Sequence, residues 1–182
     1  MKNRVYIYDF DGTICDLIID WTEWHKGLGN IYREFVPDFD LDLKGQKVHD
    51  FQNIYIKQFG EILRKKIADY NAEYESRMIT DYHPHTGIIE VITNMSDTKK
   101  YLWTANSKKT IEKYLPLLGL EHAFSKLITR DDVTYIKPDP QGFDLISIEN
   151  PSETDYLFIG DSPHDEQAAK SAKINFRYVT SS

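Results

Sequence analysis

The chain predicts an α/β fold: a mainly parallel sheet with helices on both faces and a helical insertion after the first strand. Three observations carry this. A short apolar run, Val5-Tyr6-Ile7-Tyr8, leads straight into Asp9-Phe10-Asp11-Gly12-Thr13. From Ile88 onward, apolar runs of strand length alternate with stretches of helical spacing, as crossover units of a parallel sheet require. Between these parts, residues 17–80 are rich in Tyr, Trp, Lys and Glu and are far longer than an ordinary connection.

Each element follows from its local pattern. Residues 3–9 read as a buried strand. In the insertion, Ile54, Phe59, Ile62, Leu63, Ile67 and Tyr70 recur at helical spacing. This predicts helices over 21–35, 46–59 and 61–76, with Pro37-Asp38-Phe39-Asp40 separating the first two. Asp16 reads as a helix cap for the insertion. The run His83-Pro84-His85-Thr86-Gly87 is punctuation, and a helix over 88–95 follows with Thr86 as its cap. Residues 100–103 read as a strand. Ser107 opens a helix that runs to 117 and ends near Gly119. A short strand at 127–128, a helix over 141–149 and an apolar strand over 156–159 come next. The helix over 163–173 starts with Pro163 in its first turn, and 176–179 is the last strand. Assembled, residues 1–16 and 81–182 form a Rossmann-like three-layer sandwich. Residues 17–80 are a helical insertion in the first connection, and its length beside a carboxylate pair suggests a lid.

With 182 residues the chain has room for one core plus a small appended unit. A net charge of −7 argues against general nucleic-acid binding. The single Cys15 excludes an intrachain disulfide and a cysteine-built zinc site, and it suits a reducing compartment. No apolar run approaches the ~18 residues of a membrane span, and the first one stops at Asp9. These features point to a cytoplasmic protein, monomer or homodimer, whose partner is a small molecule rather than nucleic acid or membrane.

Ligands of open α/β sheets bind at the carboxyl ends of the strands. The first strand presents Asp9 and Asp11 there, two carboxylates that resist joint ionisation unless a cation or a proton intervenes. The strand ending at Trp103 presents Thr104-Ala105-Asn106-Ser107, a hydroxyl before a helix N-terminus and so an anion seat. Lys137-Pro138 follows, with the proline restricting the lysine backbone. The strand over 156–159 ends in Gly160-Asp161-Ser162-Pro163-His164-Asp165. Acids suit a hard cation with oxygen ligands, most simply Mg²⁺. Hydroxyl, amides and lysine suit a phosphate. Together they indicate phosphoryl transfer.

The order Asp-x-Asp-Gly-Thr, Thr104, Lys137-Pro138 and Gly-Asp-Ser-x-x-Asp resembles the four motifs of the haloacid dehalogenase-like superfamily. The helical insertion after the first motif resembles that superfamily's small helical cap, as in its phosphoglycolate-phosphatase-like branch. The resemblance implies a Mg²⁺-dependent phosphatase of a small phosphomonoester, working through an aspartyl-phosphate. Asp9 would be the nucleophile and Asp11 the general acid/base. Mg²⁺ would be held by the Asp9 carboxylate, the Asp11 backbone carbonyl and Asp161, with Asp165 supporting the metal or ligating it. Thr104, the Ala105 amide and Lys137 would bind the phosphate. Many relatives carry Asn directly after the motif-two hydroxyl; here Ala105 precedes Asn106.

Within the superfamily, a phosphomutase similar to β-phosphoglucomutase is the alternative; a dehalogenase is disfavoured because Asp11 is present. A phospho-signalling module similar to a receiver domain also combines acids, a hydroxyl and Lys-Pro, but it is shorter and places its acidic pair earlier. In the insertion, His25, Lys44 and Lys47 are the side chains considered for substrate contact. Trp21 and Trp24, three apart, read as packing. His83 and His85 are not expected to ligate metal.

Overall fold

The computed structural model describes residues 4–40, 48–150 and 154–179. The chain separates into two compact units, Met1–Leu17 with Asp81–Ser182, and Ile18–Thr80.

The first unit is built on a five-stranded sheet in the order β5-β4-β1-β6-β7. The strands are β1 (Arg4–Tyr8), β4 (Lys100–Trp103), β5 (Lys126–Ile128), β6 (Asp155–Gly160) and β7 (Asn175–Tyr178), and every pairing is parallel. Helices α3 (Thr86–Asn94), α4 (Lys108–Leu117), α5 (Gln141–Ser147) and α6 (Pro163–Ala172) flank it. Strand β4 is buried at all four positions, which is why a central parallel strand reads as an unbroken run rather than an alternation. The core joins Val5 and Ile7 of β1, Tyr101 and Trp103 of β4, Phe158 of β6 and Ala168 and Ala169 of α6. Trp103 stacks on Phe158 with ring centroids 5.0 Å apart.

Local chemistry starts and stops the helices. Ser107 caps α4 by accepting from the Thr110 amide at 3.2 Å. Ser162 caps α6 and forms a reciprocal capping box with Asp165, with Pro163 in the first turn. Lys173 closes α6 in the left-handed region at φ 57°, and Gly119 turns the chain after α4 at φ 68°.

A two-stranded ribbon pairs β2 (Cys15–Ile18) with β3 (Asp81–Pro84). Sequence reading gave no strand at either place. Both are short: β2 alternates buried Cys15 and Leu17 over too few residues to stand out, and β3 is largely exposed and polar. Two caps also differ. Thr86 is the first residue of α3, not its cap; His85 occupies that position without a side-chain cap bond. Asp16 caps no helix; Asp20 does, accepting from the Thr22 and Glu23 amides at 2.9 and 3.1 Å.

The second unit packs α1 (Trp21–Arg33) against α2 (Val48–Met78). Gly60 breaks α2 at φ 71°, ψ −151°, dividing it where sequence periodicity predicts a boundary between two helices. Rings of Tyr32, Phe39 and Tyr55 meet at 5.1–5.9 Å. The Trp24 indole donates to Asn71 at 2.8 Å, and Trp21 meets Trp24 edge-on at 5.5 Å. No described helix is long and apolar enough to cross a membrane.

Gly142 in α5 lies directly under the indole of Trp103; a Cβ there would sit 2.7 Å from Cδ1. Alanine gains up to about 1 kcal/mol of helix propensity, but overpacking of a rigid core costs about 1–3 kcal/mol. Gly142→Ala is therefore expected to lower the urea midpoint despite its better propensity, and equilibrium unfolding checks it.

Candidate active site

The register of the sheet brings the strand-end residues together. Tyr8 pairs with Leu102 on one side and Ile159 on the other. Asp9 continues β1 past both neighbours, its amide donating to the Ile159 carbonyl at 2.9 Å. Thr104, immediately after β4, and Asp161, immediately after β6, therefore flank Asp9 along one edge of the sheet. The chain then turns sharply, as the Phe10 carbonyl accepts from the amides of Thr13, Ile14 and Cys15 at 3.2, 2.8 and 3.2 Å. Gly12 makes the turn possible at φ 81°, and a Cβ on it would lie 2.5 Å from Asp161 Oδ2. The Thr13 hydroxyl donates to Asp161 Oδ1 at 3.2 Å.

One ammonium lies among the acids. Lys137 Nζ donates to Asp9 Oδ1 at 2.7 Å and to Asp165 Oδ1 at 2.5 Å. All three side chains are less than 10% exposed. Gly160 lets Asp165 approach, since a Cβ there would be 2.6 Å from that of Asp165. The other Asp165 oxygen accepts from the Ser162 hydroxyl at 2.6 Å and amide at 3.1 Å. Among the described residues, only Lys137 donates to the Asp9 carboxylate. The peptide bond Lys137-Pro138 is cis.

Electrostatics follow from this crowding. Burial pushes the Asp9 carboxyl up to about 7, against the pull of Lys137 and with the repulsion of Asp165 and Asp161. Asp161 is raised by desolvation and by Asp165. Burial also opposes ionisation of Asp165, but Lys137 and the two Ser162 donors outweigh it, and the net shift is downward. Burial would lower Lys137, yet Asp165 and Asp9 together hold it raised and charged.

Asp11 does not join this cluster through its carboxylate; its Oδ1 accepts from the Leu17 amide at 2.8 Å. Cys15 is buried, and burial with Asp11 and Asp16 nearby pushes its thiol up to about 12. It is a small buried filler. Asp16, which sequence reading gave to a helix cap, meets His85 Nε2 at 3.0 Å. The other ring nitrogen of His85 lies 3.0 Å from the Thr13 carbonyl. Sequence reasoning saw His85 only as part of a loop; its pairing with Thr13 and Asp16 spans some seventy positions and leaves no local pattern to read.

The Thr104 hydroxyl is buried and donates to Asn106 Oδ1 at 2.7 Å. The Asn106 amide in turn donates to Thr104 Oγ1 at 3.2 Å. Asn106, left without a role by the sequence, thus orients the hydroxyl, and the half-exposed Ala105 lies between them. In the helical unit, His25 packs its ring edge-on to Trp24 at 5.1 Å, and burial lowers its pKa. Lys44 and Lys47 lie outside the described residues.

The donor set fits a divalent cation. Oxygens of Asp9, Asp161 and Asp165 lie within 4.8 Å of one another. Three carboxylates against the single ammonium of Lys137 leave two negative charges when all are ionised, a demand that a hard dication with oxygen ligands meets. Both Asp165 oxygens are engaged by Lys137 and Ser162, so Asp9 and Asp161 are the carboxylates left to face it.

A family model described as haloacid dehalogenase-like hydrolase matches residues 6–179. The chain belongs to this family. The family places the chain among phosphatase-type hydrolases, and Mg²⁺ is the usual cofactor of the superfamily. Pyrophosphatase PpaX of Listeria monocytogenes serotype 4b is 28% identical over 185 residues, covering 94% of this chain and 81% of the relative. Among solved structures, a subfamily IA hydrolase of the superfamily from Geobacter sulfurreducens aligns with a TM-score of 0.57 at 19% identity, over 96% of this chain and 85% of that one. YfnB from Bacillus subtilis, crystallised with magnesium bound, gives 0.59 at 19% identity over 98% and 89%. These two likenesses concern the fold.

Two outcomes follow from this geometry. Gly12→Ala must move either the turn or the Asp161 carboxylate, and isothermal titration with Mg²⁺ should show weakened binding in a protein that still folds. The Asp165–Lys137 pair stabilises the fold with a depressed carboxyl. Its contribution is fully present above the unfolded carboxyl pKa of about 3.9 and is lost as pH falls through the lower folded value. Lys137→Met should cost about 3–5 kcal/mol at neutral pH by leaving buried carboxylates unpaired, and the deficit against wild type should shrink in acid; denaturant melts across pH measure both.

Proposed function

We propose that the protein is a Mg²⁺-dependent phosphatase that hydrolyses a small phosphorylated metabolite in the cytoplasm through an aspartyl-phosphate on Asp9. The observation that carries the proposal is the buried Asp9 carboxylate, held by Lys137 at the carboxyl edge of the sheet with Asp161 and Asp165 beside it.

Asp9 attacks phosphorus through a carboxylate oxygen, forming a P–O bond as the ester P–O bond breaks. Asp11 gives a proton to the departing alkoxide and later takes one from the water that hydrolyses the acyl phosphate. The Leu17 amide, donating to Asp11 Oδ1 at 2.8 Å, sets the direction of that carboxyl away from the acid cluster. Lys137 offsets charge on Asp9 and on the phosphoryl oxygens together. The Ala105 amide and the Thr104 hydroxyl, once its proton turns from Asn106 Oδ1 to the ligand, bind those oxygens. Asp9, Asp161 and the Asp11 carbonyl would hold Mg²⁺, with Asp165 buttressing them through Lys137 and Ser162. When bound, the cation supplies positive charge that keeps Asp9 ionised and offsets phosphoryl charge.

The helical unit 18–80 is the cap of this reading. It selects the leaving group and excludes water, with His25, Lys44 and Lys47 as its candidate contacts. The name of the Listeria relative adds inorganic pyrophosphate to the substrates worth testing.

Phosphate release should be measured on a panel of small phosphomonoesters and pyrophosphate, with Mg²⁺ and with chelator. Turnover is expected only with Mg²⁺. Asp9→Asn should abolish it while leaving the circular dichroism spectrum unchanged. Retained turnover in the variant would remove Asp9 as nucleophile. A bisphosphate requirement for any activity would favour the mutase.

A further inference from the structure

We propose that His85 is a positioning residue for this reaction, an imidazolium clamp that fixes the turn carrying Asp11 and Thr13; this rests on the phosphatase reading above. Three bonds from one residue reach the stretch Thr13–Asp16. The His85 amide donates to the Ile14 carbonyl at 2.9 Å, Nδ1 lies 3.0 Å from the Thr13 carbonyl, and Nε2 lies 3.0 Å from Asp16 Oδ2. A carbonyl oxygen and a carboxylate oxygen are both acceptors. A neutral imidazole carries one N–H and can satisfy only one of them; the imidazolium satisfies both.

What the clamp holds is the machinery itself. Thr13, gripped through its carbonyl, donates its hydroxyl to Asp161. The stretch that His85 fastens runs from Asp11 through the turn into β2, where the Leu17 amide holds the Asp11 carboxylate. His85 therefore touches neither phosphate nor metal ligand, and acts on Asp161 through Thr13 and on Asp11 through the turn. It stands at the end of β3, where the chain returns from the helical unit, so the ring also ties that strand to the first motif.

The charged surroundings favour the imidazolium. Burial opposes the charge, but Asp16, the Thr13 carbonyl and the more distant Asp161 outweigh it, and the ring is raised above its ordinary value. On β3 itself, Asp81 faces His83 at 3.9 Å, and the Cys15 thiol of β2 stays protonated. With a raised value, the clamp is complete at lower pH and opens as pH rises through it. One nitrogen then presents a lone pair to an oxygen.

Two readouts separate the clamp from the catalytic reading. Nitrogen-15 NMR of the His85 ring in the whole protein should show both nitrogens protonated at pH 6. Its midpoint should lie above the ordinary ~6.5 and move down in Asp16→Asn. A single neutral tautomer at pH 6, or a midpoint that Asp16→Asn leaves in place, overturns the clamp whether or not the protein turns over any ester. In kinetics, His85→Gln should lower kcat about 10- to 100-fold, as loss of supporting partners does, with KM and melting temperature little changed. His85→Arg, which keeps charge and several donors at all pH, should recover much of kcat and hold it further into the alkaline range. A kcat in His85→Gln equal to wild type, or a loss matched by unfolding, contradicts the positioning role. If wild type hydrolyses nothing on the panel, the phosphatase reading fails alone, and the NMR measurement still decides the clamp.

Discussion

Lys137 is the group on which the acid cluster depends. Asp9 and Asp165 are buried together, with the exposed Asp161 beside them, and ionising the two buried acids side by side would be prohibitive without a counter-charge. A single ammonium bridging Asp9 and Asp165 makes a largely ionised cluster tolerable, and it leaves a net negative charge of the kind a hard dication suits. Asp165 has the depressed pKa and Asp9 the raised one, though both touch the same nitrogen. The difference lies in Ser162, whose hydroxyl and amide both serve Asp165. Among the described residues, Asp165 thus has three donors on its two oxygens where Asp9 has one.

The backbone makes room for this crowding. Gly12 and Gly160 each stand where a Cβ would strike an acid of the cluster. Neither is there for flexibility alone. Trp103 and Phe158 stack in the core; Trp103 ends β4 just before Thr104, and Phe158 lies two residues before Gly160, the last residue of β6. Lys137 Nζ lies 5.4 Å from the Phe158 ring. The packing of the sheet and the placement of charge are thus one structure.

Much of this was legible along the chain. The strands at 100–103 and 156–159 stand out as apolar runs because they are buried on both faces, and the acids and hydroxyl that follow them announce a strand edge. The division of the helical unit near Gly60 shows in the spacing of its apolar residues. The ribbon β2–β3 was not legible, because β2 alternates over only four residues and β3 is exposed and polar along most of its length. Asp16 and Asp20 are both plausible caps in sequence; only the fold sends Asp16 to His85. Asn106 likewise acquires its part from a contact that spacing does not reveal, whereas Ser162 and Asp165, three apart around Pro163, carry a readable capping-box pattern.

The central claim is that Asp9 forms a covalent phosphoryl adduct, and trapping that adduct tests it most directly. Enzyme turning over its best substrate with Mg²⁺ would be quenched and treated with borohydride, which reduces an acyl phosphate to the alcohol, and the digested peptides would be weighed and sequenced by mass spectrometry. The account predicts reduction at position 9 alone, dependent on both substrate and Mg²⁺. Reduction at another residue, or none while turnover proceeds, would contradict it.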